Sequence, residues 1–271
     1  MKILVIHGSP HNGNTLKLTW KLEEAMRKYD DVRFEYLSVN ELNVQMCRGC
    51  FSCITKGEEL CPLKNDDVKL VLEKMDEANG TIFAAPTYMY NIPALMKNLI
   101  DRLAYLGHRP RYMSKYAAVI STTCEKGLKE ALRYLYLGTV WAWGFQLVGS
   151  LGAHTHPFFL TRKNRLNLDN KIDNLAERFY QAITSTEFPS VRFGEMMRYR
   201  AMSLHSLYSK EIFSADYRFY HENNEIGQRY FINSVTIGFF IDISSRALSF
   251  LIGRSMSKCR KRSDMEQRFL E

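Results

Sequence analysis

Residues 2–7 form a short apolar run that stops at Gly8-Ser9-Pro10, which predicts a buried strand opening into a turn. From Thr15 onward Leu16, Leu18, Thr19, Leu22, Ala25 and Met26 recur at helical spacing, with Glu23, Glu24, Arg27 and Lys28 on the other face. A helix is therefore expected, ending at Asp30-Asp31, and residues 32–37 alternate as a second strand. Asn65-Asp66-Asp67 offers an N-cap and first-turn acids to a helix running to Met75. Residues 81–85 are apolar enough to be buried on both faces, as inner parallel strands are, and they end at Pro86-Thr87-Tyr88. A helix over 92–103 tolerates Pro93 in its first turn. Strands over 116–121 and 145–151 and helices over 128–137 and 169–184 complete the pattern.

Five alternations of strand and helix predict an α/β fold, a doubly wound five-stranded parallel sheet joined by right-handed crossovers. Ligands in such sheets collect beyond the carboxyl ends of the strands, where strand order reverses. The loops to inspect are thus 8–15, 38–64, 86–91 and 121–127. From about Ser190 the alternation stops and Arg, Tyr, Phe and Met accumulate, so a mainly helical C-terminal extension of unassigned role is expected over 188–271.

Composition narrows the class. Hydrophobic residues make up 46% and charged residues 24%, which excludes a disordered chain. The formal charge of +8 favours anionic partners and argues against a small acidic electron shuttle. No small-residue cleavage site follows the first strand, so a cytoplasmic protein is expected. In a reducing compartment, four cysteines crowded into 47–61 point to metal or redox chemistry before a disulfide framework, while Cys124 and Cys259 stand apart. Residues 232–252 are apolar but carry Asp242 and Arg246, which predicts a buried or oligomer-packing helix; a peripheral membrane helix is the alternative. Residues 254–262 carry five basic side chains that read as a solvated terminus, with phosphate or lipid contact as the alternative.

The loop His7-Gly8-Ser9-Pro10-His11-Asn12-Gly13-Asn14-Thr15 lies between the first strand and the first helix. Its amides and the helix amino end favour an anion, and Ser9, Asn14 and Thr15 can add side-chain hydrogen bonds to phosphate. No Walker lysine follows Gly13 and the dinucleotide spacing G-x-G-x-x-G is absent, so the loop does not advertise a nucleoside triphosphate or a tightly held NAD, and an ordinary polar strand-to-helix turn is the alternative to an anion site. Tyr88 and Tyr90 in the 86–91 turn read as a flat surface for a ring or as core aromatics. Cys124, in the 121–127 loop, reads as a small, partly buried residue.

Together, Gly8-Ser9-Pro10 with Asn14-Thr15 and Pro86-Thr87-Tyr88-Met89-Tyr90-Asn91-Ile92-Pro93-Ala94 resemble the NADPH-dependent FMN reductase family of flavodoxin-like proteins. The resemblance covers about residues 1–185 and implies a flavodoxin-like FMN-binding domain over 1–187. It implies that Ser9, His11, Asn14, Thr15 and Leu16 surround the FMN phosphate, and that Pro86, Thr87, Tyr88, Met89, Tyr90 and Asn91 line the ribityl chain and ring. The loop carrying Ser121, Thr122 and Gly127 occupies the family's other ring-flanking position. An FMN-dependent oxidoreductase is expected, with NAD(P)H as transient donor or a ferredoxin-linked supply. The acceptor is a small molecule or a protein, and the flavin itself carries the chemistry. The alternative is an electron-transfer or redox-sensing flavoprotein without a small-molecule substrate. Nucleic acid is not an expected partner.

Cys47-x2-Cys50-x2-Cys53-x7-Cys61 can converge on one metal or cluster, and Pro62 after the fourth cysteine strengthens a likeness to the ferredoxin run. This pattern resembles the iron–sulfur flavoproteins, a branch of the same family, and implies a 4Fe-4S cluster on those four residues beside FMN. Zinc and metal-free thiols remain open. A homodimer or homotetramer is expected, with the cysteine loop at a subunit boundary.

Overall fold

The computed structural model describes residues 1–29, 32–157, 161–185, 191–222, 230–231 and 237–266, the side chains of 255–266 excepted. The expected helix end at Asp30-Asp31, the start of the extension near Ser190, part of the 232–252 stretch and the Cys259 side chain lie outside the described residues. The chain divides into two compact units, Met1–Gly49 with Pro62–Glu187, and Cys50–Cys61 with Phe188–Glu271.

In the first unit β1 (Lys2–His7), β2 (Arg33–Ser38), β3 (Gly80–Ala84), β4 (Tyr116–Thr123) and β5 (Gln146–His154) form one sheet in the order β2-β1-β3-β4-β5. Each neighbouring pair is parallel, with Ile3 opposite Phe34 on one side and Gly80 on the other. This is the flavodoxin-like order, whose reversal point falls between β1 and β3. All five residues of β3 are buried, as its unbroken apolar run requires of an inner strand.

Helices α1 (Asn14–Met26) and α6 (Arg162–Thr184) cover one face. The helical stripe read from the sequence is what α1 buries: Thr15, Leu16, Leu18, Thr19, Leu22, Ala25 and Met26. Leu22 and Met26 pack with Ile3, Val5, Ile82, Leu175 and Phe179 into one core. On the other face Phe83 meets the Trp143 ring edge-on at 5.3 Å, and Tyr112 stacks on Phe145 at 4.5 Å. Helices α3 (Val68–Glu77), α4 (Ala94–Arg102) and α5 (Leu128–Leu135) complete the layers, and a single turn, α2 (Ser52–Thr55), lies in the cysteine loop.

Two expectations shift. Helix α6 begins at Arg162 and not near 169, because Thr161 accepts the Asn164 amide at 3.2 Å and caps an earlier start. The acids precede α3 and none stands in its first turn: Asp67, at the N-cap, makes no side-chain cap bond and accepts instead from Asn43 N at 2.7 Å, while Asp66 accepts the Val68 amide at 3.3 Å, so the pair ties the helix start to the chain leaving β2.

The second unit contains α7 (Phe193–Tyr208), α8 (Ser214–Tyr217) and α9 (Phe239–Glu266). Tyr199, Tyr220, Tyr230 and Phe231 form its aromatic centre, with Tyr199 and Phe231 rings 4.9 Å apart. Asp242 of α9 pairs with Arg200 at 2.5 Å and Arg246 at 2.8 Å, which accounts for the charges inside this apolar stretch. Phe239, Phe240, Phe250 and Leu251 are exposed in the single chain, so of the two expected roles, buried or oligomer-packing, α9 does not take the buried one. Among the described residues, no helix is long and apolar enough to cross a membrane.

Candidate functional site

Three loops meet at the carboxyl rim of the sheet, beside the β1–β3 reversal point. The first joins β1 to α1. Its N-cap is Gly13, which offers no side chain to the helix, so the first-turn amides of Asn14, Thr15 and Leu16 have no side-chain cap, and no acidic residue stands in that turn. Such a turn can receive an anion. Ser9 is buried and its Oγ accepts the His11 amide at 3.1 Å, which closes the loop on itself. His11 and Asn14 are exposed, and the Leu16 side chain is buried in the core, which leaves its amide as the group that can serve a ligand.

Thr15 is buried and its Oγ1 lies 2.6 Å from Thr122 Oγ1, which joins the first loop to the end of β4 across 107 residues of sequence. The second loop, after β3, is tied to the same strand: Thr87 N donates to Thr122 O at 2.8 Å, and Thr87 Oγ1 lies 3.4 Å from Ser121 Oγ. Gly127 brings the third loop against the second. It has φ +86°, and a Cβ there would stand 2.7 Å from Tyr90 Cα and 2.8 Å from Thr87 Cγ2. Only glycine fits that approach.

Between Pro86 and Ile92 the chain makes a tight turn in which Tyr88 N donates to Asn91 O at 2.7 Å and Asn91 N to Tyr88 O at 2.9 Å. Its central residues, Met89 and Tyr90, both have positive φ, 45° and 64°. Non-glycine residues held left-handed cost about 1–2 kcal/mol each and gather at functional sites. Tyr88, Met89 and Tyr90 are 43%, 92% and 57% exposed, so the tyrosines are not core aromatics. A cleft beside this turn is lined by Tyr90, Lys126, Gly127, Lys129 and His154. Cys124 is exposed at the rim, not partly buried as its size suggested. The uncapped amides and the gathered hydroxyls suit the phosphate of FMN, and the exposed flat aromatics suit its ring.

The cysteine loop has its stems fixed by α4, the helix that leaves the Tyr88–Asn91 turn. Asn98, buried, accepts the Cys47 amide at 2.9 Å and donates to Val44 O and Gln45 O, both at 3.2 Å. Arg102 donates to Gln45 O at 3.1 Å and Leu63 O at 2.8 Å, and pairs with Asp66 where both side chains are almost wholly buried. The sequence reading missed both residues. Two polar side chains four apart on a helix whose Met96 and Leu99 are core residues were the available signal.

Cys47 lies in the first unit, and Cys50, Cys53 and Cys61 in the second. Cys47, Cys53 and Cys61 are half-buried, and Cys50 is exposed. Four thiols are the right donors in kind and number for an iron–sulfur cluster. Among the described residues, however, no group of three or more His, Cys, Asp or Glu is gathered closely enough to hold a metal ion.

The buried His7 ends β1 just before the first loop, and its Nε2 has no hydrogen-bond partner among the described residues. Burial pushes its pKa below the ordinary histidine value, which favours the neutral ring.

Residues 1–157 match the family model for NADPH-dependent FMN reductase. An iron-sulfur flavoprotein of Archaeoglobus fulgidus is 36% identical over 129 residues, which are 47% of this chain and 62% of that protein. A second from the same organism is matched over 66% of its length, so the match spans just under two thirds of these two relatives. An iron-sulfur flavoprotein of Clostridioides difficile is 30% identical over 197 residues, 70% of this chain and 83% of that protein. Among solved structures, a flavone reductase superposes with a TM-score of 0.51 at 15% identity, covering 70% of this chain and 66% of its own; at that identity the likeness concerns the fold alone.

Proposed function

The chain belongs to the NADPH-dependent FMN reductase family, and from that premise we propose that it binds FMN at the carboxyl rim of its sheet and acts as an FMN-dependent oxidoreductase. Reducing equivalents come from NAD(P)H or from a reduced protein such as ferredoxin, and pass to a small-molecule or protein acceptor. The observation that carries this reading is the meeting of the three loops through Thr15, Thr87, Thr122 and Gly127.

FMN, when bound, supplies hydride acceptance and one- or two-electron release. The chain's residues bind and orient it. The amides of Asn14, Thr15 and Leu16, with the Ser9 and Thr15 hydroxyls and the Asn14 amide group, receive the phosphate; His11 flanks it. Pro86 to Asn91 supply the wall for ribityl chain and ring, with Tyr88 and Tyr90 as its aromatic surface. Ser121, Thr122 and Gly127 close the opposite side and set the spacing of the two ring loops.

The further reading is a 4Fe-4S cluster on Cys47, Cys50, Cys53 and Cys61. Its support is the donor set and the names carried by the relatives, iron-sulfur flavoprotein. Such a group would hand on electrons singly. A homodimer or homotetramer accompanies this reading, and sedimentation measures it.

Purification without oxygen tests both parts. The protein is expected to be coloured, to release FMN on denaturation, and to oxidise NAD(P)H when a quinone is supplied. A folded, colourless protein that refuses added FMN ends the flavin reading. Flavin without iron or sulfide ends the cluster reading alone, and Cys50→Ser should remove the iron and keep the FMN.

A further inference from the structure

The one-turn helix α2 carries Cys53 and cannot sustain itself. A four-residue helix sits far below the length at which intrahelical bonding offsets nucleation, and its last carbonyls have no partner within it. Its entry and exit are both unusual: Phe51 stands left-handed at φ 57° and Gly57 at φ 138°. Something outside the turn must hold it.

That support comes from residues more than 150 positions downstream, in the same compact unit. Ser214 Oγ, at the start of α8, donates to Thr55 O at 3.2 Å. Arg218 Nη2 donates to Lys56 O at 2.6 Å, a charged donor on the carbonyl end of a helical turn. Arg218 also reaches Ser214 Oγ through Nη1 at 3.4 Å and stands 3.7 Å from Glu59, so its guanidinium bridges the two carbonyls' surroundings and the segment leading to Cys61.

We propose that Ser214 and Arg218 are positioning residues for the cysteine loop, and that the C-terminal extension exists in part to fix the turn at residues 52–57 ahead of metal loading, for which the thiols among the described residues have still to gather. This rests on the reading of the four cysteines as a ligand set. The clamp itself is visible without any metal. It gives the extension a task that its composition did not disclose.

Hydrogen exchange on the full chain, purified without oxygen, separates the two claims. In Arg218→Ala the amides of Ile54, Thr55, Lys56 and Gly57, which bond back to Phe51 and Ser52, should exchange roughly tenfold faster, the equivalent of losing one charged hydrogen bond. Exchange in β3 and the FMN content should stay as in the parent, and a chelator should strip iron faster. Ser214→Ala should give a smaller change in the same amides, and Arg218→Lys should restore part of the protection. Parental exchange at residues 54–57 in both alanine variants overturns the clamp, whatever the iron content. If Arg218→Ala loosens β3 as well, Ser214→Ala decides: faster exchange confined to 54–57 supports the clamp, and parental exchange there overturns it. A parent protein with no iron, but with faster exchange at 54–57 in Arg218→Ala, leaves the clamp standing and overturns its purpose in metal loading, along with the ligand-set reading.

Discussion

Burial favours the neutral His7 imidazole in the folded chain, with its pKa below the ordinary 6.5. The unfolded chain takes up that proton at the ordinary value. The stability attached to a neutral His7 is therefore complete above pH 6.5 and is lost as the pH falls through the lowered folded value. Urea unfolding at pH 7 and pH 5 should show a loss of stability that shrinks in His7→Asn; an equal loss in both proteins would remove His7 from the account. Thr15 and Thr122 present a different case. Either Thr→Val change leaves one hydroxyl buried without its 2.6 Å partner, and should cost about 1–3 kcal/mol. The double variant should cost clearly less than the sum, because no orphan remains, and a double-mutant cycle in urea reads the difference. The sequence made Thr15 legible through its place after Gly13 and Asn14. It could not show that the partner hydroxyl lies at 122, since nothing local links residues 107 positions apart.

At the scale of elements, unbroken apolar runs located β1 and β3, because inner parallel strands are buried on both faces. The apolar pattern located α1 down to its buried stripe. It failed where side chains bind across elements. The acids at 66 and 67 read as helix caps, yet Asp66 faces Arg102 and Asp67 the Asn43 amide, and the capping reading had no means of weighing a partner on α4. Arg102 is the element-scale test. Its side chain and that of Asp66 are 4% and 2% exposed, so Arg102→Met leaves a buried carboxylate unpaired and should cost about 3–5 kcal/mol in urea unfolding. Adding Asp66→Leu should recover much of that loss, since a buried ion pair often equals its apolar replacement. Failure to recover any would place the cost in the lost bonds to Gln45 O and Leu63 O instead.

For the whole molecule, the described core between the sheet and helices α1 and α6 is built from residues of the first unit. A chain ending at residue 187 should therefore still bind FMN, while amides of residues 52–57 lose protection; flavin titration and hydrogen exchange on that chain check both, and loss of FMN would mean the rim depends on the extension. The order of synthesis adds a consequence. Arg218 leaves the ribosome 162 residues after the Lys56 carbonyl it binds, a delay on the order of ten to thirty seconds at ordinary elongation rates. Throughout that interval the strands already made are free to pair while the thiols wait on an unfinished segment, open to oxidants and to stray metals. On the cluster reading, whatever loads them must act after residue 218 has emerged or shield them until then.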